Sequence, residues 1–196
     1  VLGNTRISRE TEEYGIKYRD YPPYEVLETD SISYRELLEL KQVEDMVEIY
    51  YNSGQFAEEL RFLENFLRRN TWKNSDGSSF SAYRMYRGLA AVYFSRFENG
   101  MQSSRMAKYE ILIAYIKSLT EEELYDAVVQ LAVYDCYARE RKKARPSFSL
   151  HNDGERIVKN LLRENEAAVV YSSENHAEYF TIDIKKTAET GTAAFR

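Results

Sequence analysis

The chain of 196 residues has little of the material that metal and redox chemistry requires. Its single cysteine, Cys136, excludes an internal disulfide, a thiolate zinc site and an iron–sulfur cluster held by this chain alone. The two histidines, His151 and His176, show no metal-ligand spacing. Phosphate-binding glycine motifs and hydrolase motifs are missing too. The sequence therefore predicts no catalytic residue, no cofactor-binding residue and no metal ligand.

Long apolar runs and an excess of positive charge are absent as well. No run reaches the roughly 18–20 residues of a membrane span, and no signal peptide is visible. The 27 basic and 32 acidic residues give a net charge of −5, which argues against binding to nucleic acid. Because a lone cysteine suits a reducing compartment, we expect a cytoplasmic protein.

Both ends of the chain look like cut ends. The first residue is Val1 rather than Met, and the segment 192–196 stops on an apolar alternation without a closing turn. We therefore expect a piece of a longer protein, whose chemistry lies in another part.

Helical periodicity dominates what is present. Apolar residues recur at helical spacing over segments near 33–54, 55–69, 80–97, 104–119, 120–140 and 153–162. This pattern predicts a mainly α fold, an antiparallel bundle of about five to six helices with a small, truncated β appendage at the C-terminus. The predicted domains are a linker and strap over 1–30, the helical bundle over 31–165 and the appendage over 166–196.

Local signals set the expected boundaries of these elements. Ser33 and Glu36 have the spacing of a capping box, and Thr120 is the expected N-cap of the fifth helix. Consecutive prolines predict an extended path over Tyr21–Leu27. Short apolar or alternating segments predict strands over 167–172 and 180–184.

Asp135 occupies an unexpected position, because it falls on the apolar stripe of the fifth helix. A buried, unpaired carboxylate costs several kcal/mol or takes up a proton, so Asp135 needs a partner. Arg139 lies one turn later, and Arg84 or Arg87 of the third helix could reach it across the bundle. The sequence leaves open whether Asp135 forms an ion pair at the edge of the core, accepts a hydrogen bond from a tyrosine, or serves a ligand or a docked domain.

The 17 tyrosines form a second unusual feature. Tyrosine joins an apolar ring to a polar tip, which suits half-wet surfaces between helices or domains. Tyr83 and Tyr86 follow the stripe of the third helix, while Tyr24 follows the two prolines. These side chains fit either the rim of the core or a docking surface for a neighbouring domain.

Several short segments of the chain carry a recognisable pattern. They are Leu2–Ile7, Tyr14–Tyr18, Tyr21–Leu27, Leu40–Lys41 with Val43–Glu44, Tyr50–Phe56 and the later stretch of Asp135, Arg139–Glu140 and Lys143–Pro146. These segments resemble one bacterial family, the cobalamin-binding-type radical SAM proteins. Members are labelled as anaerobic magnesium-protoporphyrin IX monomethyl ester cyclase-like iron–sulfur oxidoreductases. In the family, this region follows the radical SAM barrel and leads into a helical C-terminal domain of unknown function.

The resemblance implies a non-catalytic accessory domain that covers the substrate cavity of a larger enzyme. The family's cluster is held by a CxxxCxxC motif, which this chain lacks, so no cluster-binding, SAM-binding or cobalamin-binding residue transfers to it. The implied partners are the preceding radical SAM and cobalamin-binding domains of the same parent chain. The implied cofactors of that parent are a 4Fe–4S cluster and S-adenosylmethionine, with cobalamin as a further candidate.

A free-standing helical module that binds a partner protein through its aromatic face fits the sequence as well. Both alternatives stay open at this point. The substrate of the parent enzyme is not determined by the family label, because one fold or family supports several reactions.

Overall fold

The computed structural model describes residues 6–70, 80–97, 104–139, 145–150, 159–160, 163–164, 168–172 and 177–196. Several predictions concern residues outside these ranges. They are the two histidines, His151 and His176, the polar loop over 71–79, the basic run over 141–144 and most of the short helix over 153–162.

The chain divides into two compact units, with the division between Asp45 and Met46. The domain limits expected at residues 30 and 165 stay predictions. Each unit is described by itself.

The first unit contains a short hairpin and most of a long helix. Its elements are α1 (Arg6–Arg9), β1 (Lys17–Tyr18), β2 (Val26–Glu28) and α2 (Tyr34–Met46). The two strands pair antiparallel, with Lys17 opposite Glu28, and these side chains form an ion pair of 2.5 Å. The extended path predicted for Tyr21–Leu27 is wrong in its first half. The backbone N–H of Tyr24, at φ 54°, donates to the carbonyl of Tyr21 at 2.9 Å, so the chain turns back to form β2.

The predicted capping box at the start of α2 is confirmed. The N–H of Ser33 donates to the Glu36 carboxylate at 2.8 Å, and the N–H of Glu36 donates to the Ser33 hydroxyl at 3.4 Å. Each side chain thus satisfies a backbone donor that the first helical turn leaves without a partner. These hydrogen bonds also lower the pKa of the Glu36 carboxyl.

The second unit holds the remaining elements and confirms the mainly α prediction. They are a π-helical segment (Val47–Asn52), α3 (Ala57–Asn70), α4 (Ala82–Arg96), α5 (Arg105–Leu119), a 3-10 turn (Glu122–Leu124), α6 (Tyr125–Arg139), β3 (Ala168–Ser172), β4 (Ala177–Phe180) and α7 (Ile184–Thr190). The strands β3 and β4 pair antiparallel. Helix α6 is buried on nearly all faces from Ala127 to Val133. It contacts α3, α5 and α7, so it forms the centre of this unit.

Hydroxyl side chains cap several helix ends. One of them, Thr120, lies at the end of a helix, although it was expected at the start of one. Ser81 and Ser104 accept hydrogen bonds from the backbone at the starts of α4 and α5. Thr120 was expected to begin α6. Instead, its N–H and its hydroxyl both donate to the carbonyl of Ile116, so it ends α5.

The strand predicted over 180–184 is also corrected. β4 ends at Phe180, and Asp183 then caps α7 by accepting from the N–H of Lys186 at 3.0 Å. Phe180, Ile182 and Ile184 are all buried. The alternation therefore correctly indicates core residues, but the segment that carries them is not a single strand. The further strand expected at the C-terminus is a single bridge between Ile182 and Phe195.

Gly191 ends α7 in the left-handed conformation, with φ 63°. An added Cβ would lie 2.4 Å from the backbone nitrogen of Phe66 and 2.8 Å from the carbonyl carbon of Asn65. The helix α7 therefore rests directly on the main chain of α3. Gly54 has a similar φ of 59°, but its Cβ would meet only the guanidinium of Arg139, at 3.0 Å.

We predict that Gly191→Ala lowers the free energy of unfolding by more than about 2 kcal/mol, because left-handed strain adds to a collision with rigid backbone. Gly54→Ala serves as the matched control and is expected to lose about 1 kcal/mol, since only a flexible side chain must move. Urea unfolding of both variants measures the difference. Equal losses would contradict the close approach of α7 to α3.

Candidate functional site

Asp135 lies near the end of α6, and its carboxylate faces the start of α3. One oxygen accepts hydrogen bonds from the backbone N–H groups of Glu58 and Glu59, at 2.9 and 3.1 Å, and the other accepts from Glu58 at 3.2 Å. The residue is only 3% exposed. Asp135 therefore supplies, from another helix, the negative charge and the acceptors that a helix N-terminus requires.

The arginine partner predicted for Asp135 is wrong. Arg84 and Arg87 are exposed on α4. Arg139 donates to the carbonyl of Gly54 at 3.1 Å, in the connection that precedes α3. Arg139 and Asp135 thus bind the same region of the chain. Arg139 donates to a backbone carbonyl there, and Asp135 accepts from two backbone N–H groups.

Glu59 is the residue that the sequence analysis missed. It is fully buried, and neither of its carboxylate oxygens has a hydrogen-bond partner among the residues that the structure describes. Burial raises the pKa of Glu59 well above its usual value, and the negative charge of Asp135 raises it further. Glu59 is therefore a neutral carboxylic acid at ordinary pH. Its spacing with Phe62 and Leu63, both fully buried, is the signal that could have placed it in the core.

The two acids beside Glu59, Asp135 and Glu58, both have partners. Burial raises the pKa of Asp135 to about 7, while the amides of Glu58 and Glu59 lower it. The Glu58 carboxylate forms ion pairs with Lys185 of α7 and with Arg61, the latter at 3.1 Å. The two neighbouring acids of α3 therefore differ in their surroundings: Glu58 has two cationic partners, whereas Glu59 has none among the described residues.

A further buried acid, Glu178 of β4, contacts α6 through Tyr137. Its carboxylate pairs with Arg145 at 3.2 Å and accepts from the hydroxyls of Ser149 and Tyr137, at 3.0 and 3.4 Å. With a cation and two hydroxyls around it, Glu178 is a satisfied structural ion pair.

These clusters do not resemble a metal centre. Among the described residues, no group of three or more histidine, cysteine, aspartate or glutamate side chains is arranged to hold a metal ion. Cys136 is buried and, as the single cysteine, forms no disulfide within the chain. What the arrangement around Asp135 can do chemically is hold a proton between α3 and α6.

The tyrosines predicted for docking lie in different settings. Tyr83 points outward from α4, while Tyr86 of the same helix is 8% exposed. Tyr24 belongs to the first unit and is about half exposed. Their role in docking stays a prediction.

The first unit exposes an unusual set of large side chains, which we call the tyrosine surface. No residue from Arg9 to Asp45 is fully buried. The tyrosine surface consists of Tyr14, Tyr18, Tyr21, Tyr24 and Tyr34, each between 41% and 58% exposed. Leu38 and Leu40 of α2 are exposed to a similar degree. Within it, Tyr18, Tyr21 and Tyr34 line a cavity of about 620 Å³.

The fold and these sites define a mainly α protein whose ionisable clusters are structural. A family model described as a protein of unknown function (DUF4080) matches residues 12–195. The chain belongs to this family. Comparisons with curated proteins and with solved structures gave no significant match. Within the described ranges, none of the helices combines the length and the apolar character needed to cross a membrane.

We predict that Asp135→Ala lowers the free energy of unfolding by about 2–5 kcal/mol, because it leaves two buried N–H groups without an acceptor. Asp135→Asn keeps one carbonyl oxygen at this position and is expected to lose about half as much. Urea unfolding near neutral pH compares the two. If both variants lose the same amount, the capping of α3 is not what Asp135 contributes.

We also predict that stability falls as pH rises through the range of about 4 to 7. Glu59 and Asp135 both have a pKa that is raised in the folded state, so the folded chain binds protons more tightly than the unfolded chain. Their contribution is complete below about pH 4 and declines as each carboxyl loses its proton. Urea unfolding at a series of pH values measures this slope.

Glu59→Gln provides the control for the pH prediction, because it keeps the shape of the side chain and removes its titration. The variant should show a clearly smaller decline between these pH values than the original chain. An identical decline in both would mean that Glu59 does not carry a proton in the folded state.

Proposed function

We propose that this chain is a non-catalytic accessory domain that covers the substrate cavity of a larger radical SAM iron–sulfur oxidoreductase. The parent would resemble the magnesium-protoporphyrin IX monomethyl ester cyclase-like proteins. The observation that supports the proposal is the tyrosine surface of the first unit, since the stretch from Arg9 to Asp45, which has no fully buried side chain, suits docking to another domain.

The tyrosine surface has the composition of an interface. A tyrosine buries roughly 150–250 Å² when it is enclosed, so five half-exposed tyrosines offer on the order of 500 Å². A stable interface takes about 800 Å² from each partner, so these tyrosines would supply more than half of one side. Tyrosine is also enriched where interfaces form, because its ring packs while its hydroxyl stays hydrogen-bonded.

The partners in this proposal are the radical SAM and cobalamin-binding domains of the same parent chain. Those domains would hold the 4Fe–4S cluster, S-adenosylmethionine and, where used, cobalamin. This chain would contribute a cover that keeps water from the reacting substrate. The reducing compartment that such a cluster requires, together with the single, reduced cysteine Cys136, supports a cytoplasmic location.

The test compares the parent enzyme with a version carrying Tyr18→Ser, Tyr21→Ser and Tyr34→Ser. We expect unchanged cluster content but a lower turnover and a weaker apparent affinity for substrate, by at least tenfold, because each buried tyrosine contributes about 1–3 kcal/mol to docking. Steady-state kinetics and iron analysis of both proteins provide the measurements.

Leu119→Ser is the control, because Leu119 is an exposed apolar residue of the second unit. It should leave turnover and affinity as they are. Unchanged kinetics in the triple variant and in a parent lacking this domain would refute the covering role. If these proteins keep full activity but lose a separate protein partner, the chain acts as an interaction module instead.

A further inference from the structure

A separate cavity of about 590 Å³ opens in the second unit, between the π-helical segment, α3 and α4. Its lining is mainly apolar and aromatic, and Tyr50 and Met85 contribute buried side chains to it. Phe80 and Leu60 add further apolar surface. This volume lies within the 300–1,000 Å³ typical of small-molecule sites, which combine apolar walls with a few polar groups.

Local sequence choices keep the cavity open. The π-helical segment widens the backbone before α3, and such segments occur often at functional sites. Gly54, Ala57 and Ala82 line the cavity from both sides with no side chain or a single methyl group. Larger side chains at these three positions would occupy the space.

Tyr86 adds a hydroxyl donor to the lining of the cavity. Buried tyrosines nearby donate to backbone carbonyls: Tyr50 to Lys108 at 3.0 Å, and Tyr115 to Met85 at 2.9 Å. Tyr86 is 8% exposed; its hydroxyl forms no such bond within the described part of the chain, and its oxygen is still reached by solvent. Burial, with Tyr51 and Glu64 nearby, raises the pKa of Tyr86 to about 12, so the hydroxyl keeps its proton. A ligand in the cavity can therefore replace water as the acceptor of this hydroxyl.

The charged groups that line the cavity already have partners of opposite sign. Arg61 pairs with Glu58 at 3.1 Å, and Glu64 pairs with Arg68 at 2.6 Å. The lining thus carries one positive and one negative side chain, and an ion pair within the protein compensates each charge. A charged ligand would lose its hydration without gaining an ion pair.

We propose that this cavity binds an uncharged, ring-containing small molecule that places a carbonyl or ether oxygen against the Tyr86 hydroxyl. The rings pack on the aromatic and apolar lining, and the oxygen accepts a hydrogen bond from the Tyr86 hydroxyl in place of water. The proposal does not depend on the accessory role, because every residue of the cavity belongs to the second unit.

The test uses prodan, a neutral naphthalene ketone whose fluorescence reports an apolar environment, and titrates it against the full chain. We expect saturable, blue-shifted emission. Ala57→Trp and Ala82→Trp fill the cavity from opposite sides and should each weaken binding at least tenfold. Tyr86→Phe should weaken it by about three- to tenfold, the effect of one lost hydrogen bond.

Ala91→Trp is the matched control, because Ala91 is an exposed position of α4 outside the cavity, and it should bind prodan as the original chain does. The filled positions are themselves exposed, so these variants should keep the far-ultraviolet circular dichroism of the original chain. Full binding by both filled variants, or an equal loss in Ala91→Trp, would overturn the site. Full binding by Tyr86→Phe, or tighter binding of the anionic anilinonaphthalene sulfonate, would overturn the assigned ligand class.

Discussion

The second unit depends on one carboxylate, that of Asp135. This side chain belongs to α6 and caps the N-terminus of α3. Helix α3 in turn supports α7, through main-chain contact at Gly191 and the ion pair between Glu58 and Lys185. Capping normally comes from a residue adjacent in sequence, such as Ser33 for α2. Here it comes from across the core, so the start of α3 and the end of α6 can form only together. The neutral Glu59 beside this cap belongs to the same constraint, because two charged carboxylates in one dry site repel each other.

Tyrosine serves two different purposes in this protein. In the second unit, Tyr50, Tyr109 and Tyr115 are buried and tie their hydroxyls to backbone carbonyls, which fixes neighbouring segments to each other. In the first unit, the tyrosine surface stays exposed. The abundance of tyrosine therefore reflects both a polar-tipped core and a surface suited to docking, and the two roles fall in different units.

The helical part of the fold could be predicted because its signals are local. Periodicity located the five longer helices, and Ser33 with Glu36 and the left-handed Gly54 marked ends that the structure confirms. The errors arose where two local interpretations competed. Threonine can begin a helix or end one, and here the hydroxyl of Thr120 donates to a backbone carbonyl of α5. The alternation over 180–184 suits a strand, but the cap at Asp183 begins a helix within it.

By itself, the sequence determined the mainly α class, most helix positions and the need of Asp135 for a partner, since all of these follow from residue type and spacing along one chain. Only the tertiary structure decided that the partner is a pair of backbone amides rather than an arginine, that Glu59 lies in the core with no hydrogen-bond partner among the described residues, and that Tyr86 lines a cavity. Those outcomes depend on which atoms of distant segments meet, and main-chain donors in particular are invisible in a sequence because every residue carries one.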